Sequence, residues 1–324
     1  MFRNYLLVIA LCGATCAVHA QELFALSGAL KGKHHSERTF TGQIDYQQRL
    51  GESIAFSGGW INEGHLSGHH RDGATAQIWA RTDALDRRLT LAAGIGPYVY
   101  FDTVPAANAD GSHDDHGVGV VASLAATWHF SGPWSMHLRV NHIATDHSVD
   151  TTSLLLGIGY RLQANDAPTQ DLSAPAAQGL AKREVALLLG KSILNTFHSE
   201  DSFAAQIEFR QRLGRYFEWS AGALNEGDAR TQRRSGVVAQ FWVGRALLDE
   251  RVTAAIGIGP YAVLDIKRNP LLVEASRERL AGVFSLTTAY APVPQWAVRF
   301  TWSRVFAEKS HDSDVLLLGA AYRF

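Results

Sequence analysis

The chain ends at residues 316–324 with LLLGAAYRF, and residues 154–162 read LLLGIGYRL. The two stretches share three leucines, a glycine and a Tyr-Arg pair in the same order. Apolar side chains alternate with small ones towards each end, which is typical of a β-strand. The recurrence predicts that one structural unit is used twice.

Further matches extend outward from these endings in nearly the same register. Residues 93–98 read AGIGPY and residues 256–261 read IGIGPY. Asn62-Glu63-Gly64 recurs as Asn225-Glu226-Gly227, and Gln77-Ile78-Trp79 recurs as Gln240-Phe241-Trp242. Several separated matches in one register indicate an internal duplication. We expect one unit over residues 21–162 and a second over residues 183–324.

The segments outside the two units have other compositions. Residues 1–20 carry Arg3, then an apolar stretch, then Val18-His19-Ala20, which is the order of a secretory signal peptide. Both cysteines, Cys12 and Cys16, lie inside it, so the mature chain has no thiol chemistry. Residues 163–182 are rich in Ala, Pro, Gln and Asp, which predicts an extended linker.

Each unit contains eight segments with strand character, most of them 10–14 residues long. Strands of this length suit a tilted crossing of a membrane. Short connections, such as residues 50–52 and 131–133, alternate with longer polar ones, such as residues 64–72 and 102–116. Short periplasmic turns and long outer loops produce that asymmetry.

The terminal Phe324 completes the argument for a membrane protein. An alternating last strand that closes with an aromatic residue resembles the sorting signal of bacterial outer-membrane barrels. In lipid every backbone donor must be paired, so a membrane sheet must close on itself. The sequence therefore predicts an all-β fold, a transmembrane antiparallel β-barrel in the cell outer membrane.

The duplication allows two closures. Two eight-stranded barrels would be filled by their own side chains, whereas one sixteen-stranded barrel would enclose water. The linker of about twenty residues and the separate closing pattern at residues 156–162 favour two barrels. The single wide barrel remains the alternative.

Charge and histidine content give little support to other functions. The net charge is −1 with 30 basic and 31 acidic residues, which argues against a nucleic-acid partner. Histidines are frequent in the predicted outer loops of the first unit, but the second unit replaces His69-His70 with Gln232-Arg233. We therefore interpret them as solvated loop residues and predict no metal and no cofactor. These histidines are His34, His35, His65, His69, His70, His113, His116, His142 and His147.

One polar set is kept in both units near the outer ends of the third and fourth strands. An inward Glu63 needs an interior partner, and hairpin geometry places Arg71 beside it. We expect a structural salt bridge rather than a catalytic pair. The full set is Asn62, Glu63, Arg71 and Gln77 in the first unit, with Asn225, Glu226, Arg234 and Gln240 in the second.

His142 and Asp150, at the outer ends of the seventh and eighth strands, are the candidate catalytic residues. Here each unit resembles the eight-stranded lipid A deacylase family, which has a His-x-Ser and a later acid. The resemblance implies a serine nucleophile, a histidine base and an orienting carboxylate. However, the serine position is Ala144, and the second unit has Arg304 in place of the histidine although Asp312 remains. The pattern is incomplete, so the resemblance supports the fold and speaks against activity.

The sequence thus predicts a non-enzymatic outer-membrane protein with an envelope-structural or surface-interaction role. Its expected partners are outer-membrane lipid, lipopolysaccharide and the barrel-assembly machinery. Two alternatives stay open. One is a sixteen-stranded porin for small solutes, and the other is a lipid A 3-O-deacylase-like ester hydrolase.

Overall fold

The computed structural model describes residues 21–33, 38–66, 68–105, 112–162, 183–196, 199–214, 216–247, 251–268, 279–307 and 310–324. Throughout these ranges the regular structure is β-strand, as the sequence predicts. They include no helix that is long and apolar enough to cross a bilayer. The predicted signal peptide (1–20) and the predicted linker (163–182) lie outside the described residues.

The first unit is a closed barrel of eight antiparallel strands, each paired with its neighbours in chain order. The strands are β1 (Gln21–Gly32), β2 (Arg38–Arg49), β3 (Ile54–Leu66), β4 (His69–Ala84), β5 (Leu89–Pro105), β6 (Ser112–His129), β7 (Trp134–Thr145) and β8 (Thr151–Arg161). β1 closes the sheet against β8, from Glu22 opposite Arg161 to Gly32 opposite Thr151.

The second unit is a closed barrel of the same design. Its strands are β9 (Arg183–Leu194), β10 (Asp201–Arg212), β11 (Phe217–Asp228), β12 (Gln232–Leu247), β13 (Val252–Arg268), β14 (Leu280–Val293), β15 (Trp296–Phe306) and β16 (Ser313–Arg323). β9 closes the sheet against β16, from Glu184 opposite Arg323 to Leu194 opposite Ser313.

The closure decides between the two predicted architectures. In a single sixteen-stranded barrel, β8 would pair with β9 and β16 with β1. Instead each unit pairs its own first and last strands over their whole length. Two barrels are therefore correct and the sixteen-stranded alternative is wrong. The physical reason is that eight strands already satisfy every edge, which leaves no free edge for the other unit.

The strands at the end with the longer connections reach further than the sequence predicts. β4 begins at His69 and β5 runs to Pro105, so much of the predicted loops 64–72 and 102–116 is strand. Above the lipid both faces of a strand are wetted, and apolar alternation stops while backbone pairing continues. A pattern based on alternation therefore ends the strand too early. We call this end of each barrel its outer end.

The two faces of the sheet have opposite chemistry. Leu154, Leu156 and Ile158 on β8 point outward and are more than half exposed. Near the other end, Tyr160 and Trp134 stack edge to face with ring centroids 4.9 Å apart. Eight residues separate Tyr160 from Thr152, which corresponds to about 20 Å of membrane depth for a strand tilted by about 40°. An apolar band with an aromatic girdle is the outer surface of a transmembrane barrel.

Because each barrel closes on itself, each half of the chain should fold alone. We expect residues 21–162 and residues 183–324, refolded separately in detergent, to give compact species. Both should migrate faster before heating than after it on a denaturing gel. If only the full-length chain showed this shift, independent closure of the two barrels would be refuted.

Candidate functional site

The repeated Asn-Glu-Gly motif forms a bulge at the outer end of β3. The Oδ1 atom of Asn62 accepts a hydrogen bond of 3.0 Å from the Gly64 N–H, and the strand register shifts here. Gly64 has a φ of 65°, and a Cβ there would lie 2.3 Å from the Phe40 carbonyl oxygen. Only glycine fits that position. The bulge turns Glu63 into the barrel.

The second copy repeats this geometry, which explains why the motif is kept. The Oδ1 atom of Asn225 accepts a 2.9 Å hydrogen bond from Gly227, whose φ is 85°. Asn62 and Asn225 are exposed, whereas Glu63 and Glu226 are buried. The asparagines therefore shape the bulge from outside and do not belong to the interior polar set.

Glu63 and Arg71 form a bidentate ion pair inside the first barrel. The Arg71 Nε donates to one Glu63 oxygen at 2.5 Å and Nη2 donates to the other at 3.0 Å. The exposed fractions of the two side chains are 2% for Arg71 and 1% for Glu63. Tyr98 donates a further hydrogen bond of 2.8 Å to Glu63. A fork-to-fork pair with added donors compensates two buried charges well.

Arg71 also holds the connection between β7 and β8. Its Nη1 donates to the Ser148 hydroxyl at 2.8 Å and to the Val149 carbonyl at 2.6 Å. Thr151, at the start of β8, donates to Glu63 at 2.5 Å. The pair thus ties strands β3, β4, β5 and β8 together across the outer mouth of the barrel. We call Glu63, Arg71, Ser148 and Thr151 the outer clamp.

The second barrel has an equivalent clamp. The Arg234 Nε and Nη2 donate to the two Glu226 oxygens at 2.6 and 2.8 Å. Arg234 Nη1 donates to Ser310 at 3.1 Å, and Nη2 donates to Ser313 at 3.0 Å. Ser313 donates in turn to Glu226. The loop serine is kept, and Ser313 replaces Thr151 at the start of the last strand with another hydroxyl.

Gln77 and Gln240 belong to a separate, deeper layer. Gln77 donates to Ser123 at 2.9 Å, Ser123 donates to Asn141 at 2.8 Å, and Asn141 donates to Gln43 at 2.9 Å. In the second barrel, Gln240 donates to Ser285, which bonds to Ser303 at 2.7 Å. The structure therefore brings each Glu–Arg pair together and leaves the glutamines in another network.

A buried tryptophan lies next to the hydrogen-bond network of the glutamine in each barrel. Trp79 is buried, and its indole N–H donates to Ser57 at 2.8 Å. A Cβ at Gly94 would lie 2.5 Å from the Trp79 ring, so glycine makes room for the indole. The Arg139 guanidinium lies 4.8 Å from the centre of the Trp79 rings. Trp242, Ser220 and Gly257 repeat the packing in the second barrel.

The sequence prediction missed the interior charges below these layers. Asp45 pairs with Arg139 at 2.9 Å, and both side chains are fully buried. In the second barrel Glu208 accepts hydrogen bonds from Arg210 and from Arg299, at 2.9 and 3.0 Å. The inward-facing positions of β2 and β10 carry an acid at equivalent places, Asp45 and Glu208. That repetition in the sequence could have revealed the interior charges.

The candidate catalytic residues lie at the predicted ends of β7 and β8, but their hydrogen bonds lead elsewhere. The His142 Nδ1 is bonded to the Thr152 hydroxyl at 3.0 Å. Asp150 accepts hydrogen bonds from the Thr145 N–H at 3.1 Å and from Lys33 at 3.0 Å, which lower the pKa of its carboxyl group.

The acid has the same contact in both copies. Asp312 accepts a 3.0 Å hydrogen bond from the Ala307 N–H, as Asp150 does from Thr145. The shared carboxylate therefore caps the turn after β7 and β15. The outward side chain two residues after His142 is Ala144, which supplies no nucleophile.

Of the described histidines predicted to be solvated loop residues, His147 lies exposed in a loop and the others lie in strands. His65 and His70 lie on paired strands with ring centroids 4.0 Å apart, and His69 bonds to Asp102 at 2.7 Å. His113, His116 and His142 also lie in strands, while His34 and His35 fall outside the described residues. Within the described ranges no group of three or more potential ligands could hold a metal ion.

Removal of the buried acid should destabilise its own barrel only. We expect Glu63→Ala to lower the unfolding free energy of the first barrel by about 3 kcal/mol, because Arg71 would keep a buried and uncompensated charge. Urea unfolding of the full chain would measure this loss. Glu226→Ala is the matched control and should act on the second barrel. An unchanged midpoint for Glu63→Ala would contradict the role of the clamp.

No protein-family model matches this sequence, and no curated protein matches it. Solved structures of single barrels do resemble it. The N-terminal β-barrel domain of Pseudomonas aeruginosa OprF has 8% identity over 44% of this chain and 98% of its own, with a TM-score of 0.36. Neisserial surface protein A has 12% identity over 44% of this chain and 95% of its own, with a TM-score of 0.34.

A third similar structure is that of Ail, the attachment invasion locus protein of Yersinia pestis, in complex with the heparin analogue sucrose octasulfate. It has 10% identity over 44% of this chain and 96% of its own, with a TM-score of 0.33. The assignment of the present chain rests on its own surface and closure. Two closed sheets with an apolar band and polar interiors make it a β-barrel protein of the cell outer membrane.

Proposed function

We propose that the protein is a non-conducting, non-enzymatic outer-membrane protein with an envelope-structural or surface-interaction role. The observation that carries this proposal is the outer clamp, which recurs in both barrels with the same Glu–Arg ion pair and the same loop serine. A clamp across the mouth of a filled barrel favours a rigid outer end over a passage for solutes.

Several layers of side chains support the absence of conduction. Four layers follow one another along the interior of the first barrel. They are the outer clamp, the hydrogen-bond chain that begins at Gln77, the Trp79 layer and the Asp45–Arg139 pair. Eight-stranded barrels have interiors just wide enough for side chains to fill. A hydrated ion would have to break buried ion pairs to pass, which is costly.

The outer end is the part available to partners. β4 and β5 extend beyond the apolar band, and the clamp holds the connection between β7 and β8. These elements would present polar side chains at the cell surface, among outer-membrane lipid and lipopolysaccharide. The barrel-assembly machinery would be a further partner during biogenesis, because each sheet must close on itself within lipid.

Conductance measurements test the proposal directly. We expect the full-length protein in planar lipid bilayers to give no stable channels and to leave liposomes impermeable to small sugars, because both interiors are filled. Protein with a heat-sensitive gel shift must be used, so that folding is established. Reproducible conductance steps would refute the proposal and favour a diffusion channel.

The alternative activity, hydrolysis of a lipid A ester, has weaker support. His142 and Asp150 lie at one edge of the first barrel, but Ala144 stands where the resemblance requires a nucleophile. We expect mass spectra of lipid A to show the same acyl chains whether or not cells express the protein. Loss of one hydroxyacyl chain, abolished by His142→Ala, would establish the hydrolase and contradict the non-enzymatic role.

A further inference from the structure

A row of polar side chains crosses the outside of the first barrel at its outer end. Arg38 on β2 lies opposite Lys31 on β1, Lys31 lies opposite Thr152 on β8, and Thr152 lies opposite His142 on β7. All four side chains are exposed and point away from the interior. Directly opposed side chains on neighbouring strands have their Cβ atoms about 5 Å apart. We call these four residues the cationic row.

The permanent cations of the cationic row are Lys31 and Arg38. Among the described residues, neither Lys31 nor Arg38 takes part in an ion pair. The nearby Asp150 is bound by Lys33 at 3.0 Å. Like charges directly opposite on paired strands destabilise a sheet. An anion that contacts both Lys31 and Arg38 would remove that repulsion.

The next outward row shows the depth of this site in the membrane. Phe40 lies opposite Ala29, Ala29 opposite Leu154, and Leu154 opposite Val140. Every side chain in this second row is apolar, and Phe40 is 69% exposed. The cationic row therefore lies at the upper edge of the apolar band, where the charged headgroups of outer-leaflet lipids are found.

A furrow runs down β1 from the cationic row. The outward residues of β1 below Lys31 are small: Ala29, Ser27 and Ala25. Large apolar side chains border them on both sides. Those on β2 are Phe40 and Ile44, and those on β8 are Leu154, Leu156 and Ile158. The furrow offers apolar walls to an acyl chain whose headgroup lies at the cationic row.

The second barrel lacks both features at the equivalent positions. Asp201, Ile193, Asp314 and Arg304 occupy the corresponding row. The cations in and beside this row are neutralised, since Arg304 pairs with Asp314 at 3.1 Å and Lys191, one row below, pairs with Asp201 at 2.5 Å. The furrow is filled by Leu187, Leu189 and Lys191. At these equivalent, described positions the anion-attracting outer surface is present in the first barrel and not in the second.

We propose that the outer surface of the first barrel binds one phosphate-bearing, acylated lipid of the outer leaflet. Arg38 and Lys31 contact the phosphate, the Thr152–His142 pair borders the headgroup, and an acyl chain lies in the furrow along β1. The inference deepens the proposed surface role and rests on it. It requires no chemical step, and a negative result would leave the conductance test unaffected.

Native mass spectrometry of the full-length protein in detergent, with monophosphoryl lipid A as the probe, tests this site. We expect one lipid per protein. The double variant Lys31→Gln/Arg38→Gln should bind about thirtyfold more weakly, because each basic residue near a lipid surface contributes roughly fivefold. Lys191→Gln, in the second barrel, is the matched control and should bind like the unaltered protein. The heat-dependent gel shift confirms that each variant is folded.

Three further results separate the possible ligands. Fully dephosphorylated lipid A should bind as weakly as the double variant does to the probe, and inorganic phosphate at millimolar concentration should not displace the probe. Ser27→Leu, which introduces the residue of the second barrel, should weaken binding by filling the furrow. Equal binding of the dephosphorylated lipid, or unchanged binding by the double variant, would overturn the proposal. Full displacement by inorganic phosphate would overturn it in favour of a simple anion site.

Discussion

The requirement that every backbone donor and acceptor be paired within lipid determines the rest of this structure. A sheet in a membrane has no water for its edges, so β1 must pair with β8 and β9 with β16. Closure at eight strands leaves an interior that side chains fill. The interior is then isolated from water, and each charge that points into it needs a partner.

The two barrels pair their buried interior charges in partly different ways. Both keep a glutamate and an arginine on β3–β4 and β11–β12, and both keep a tryptophan packed on a glycine. Deeper in the barrel the charges are rearranged, with Asp45 and Arg139 in one copy and Glu208 with two arginines in the other. The kept residues lie where several strands meet, so replacing one would leave several partners unsatisfied.

Outside the barrel the constraint is weaker, and there the two copies differ in charge at equivalent positions. Lipid accepts any apolar side chain on the band, and near the headgroups charged residues cost little. Lys31 and Arg38 in one copy therefore correspond to Ile193 and Asp201 in the other without any change in strand register. Divergence of the lipid-facing surface on the same closed fold allows two similar barrels to present different surfaces to the lipid.

The sequence by itself determined two similar units, the eight long strands in each, the membrane barrel and the approach of Glu63 to Arg71. These depend on alternation and on neighbours within one hairpin, which are local properties of the chain. The tertiary structure decided which strands close each sheet, that Asn62 faces outward, and that β4 and β5 extend beyond the lipid. It also joined Ser148 and Thr151 to the clamp and aligned Arg38, Lys31 and His142 in one row. These residues come from strands far apart in the chain, and only the pairing register of the closed sheet brings them together.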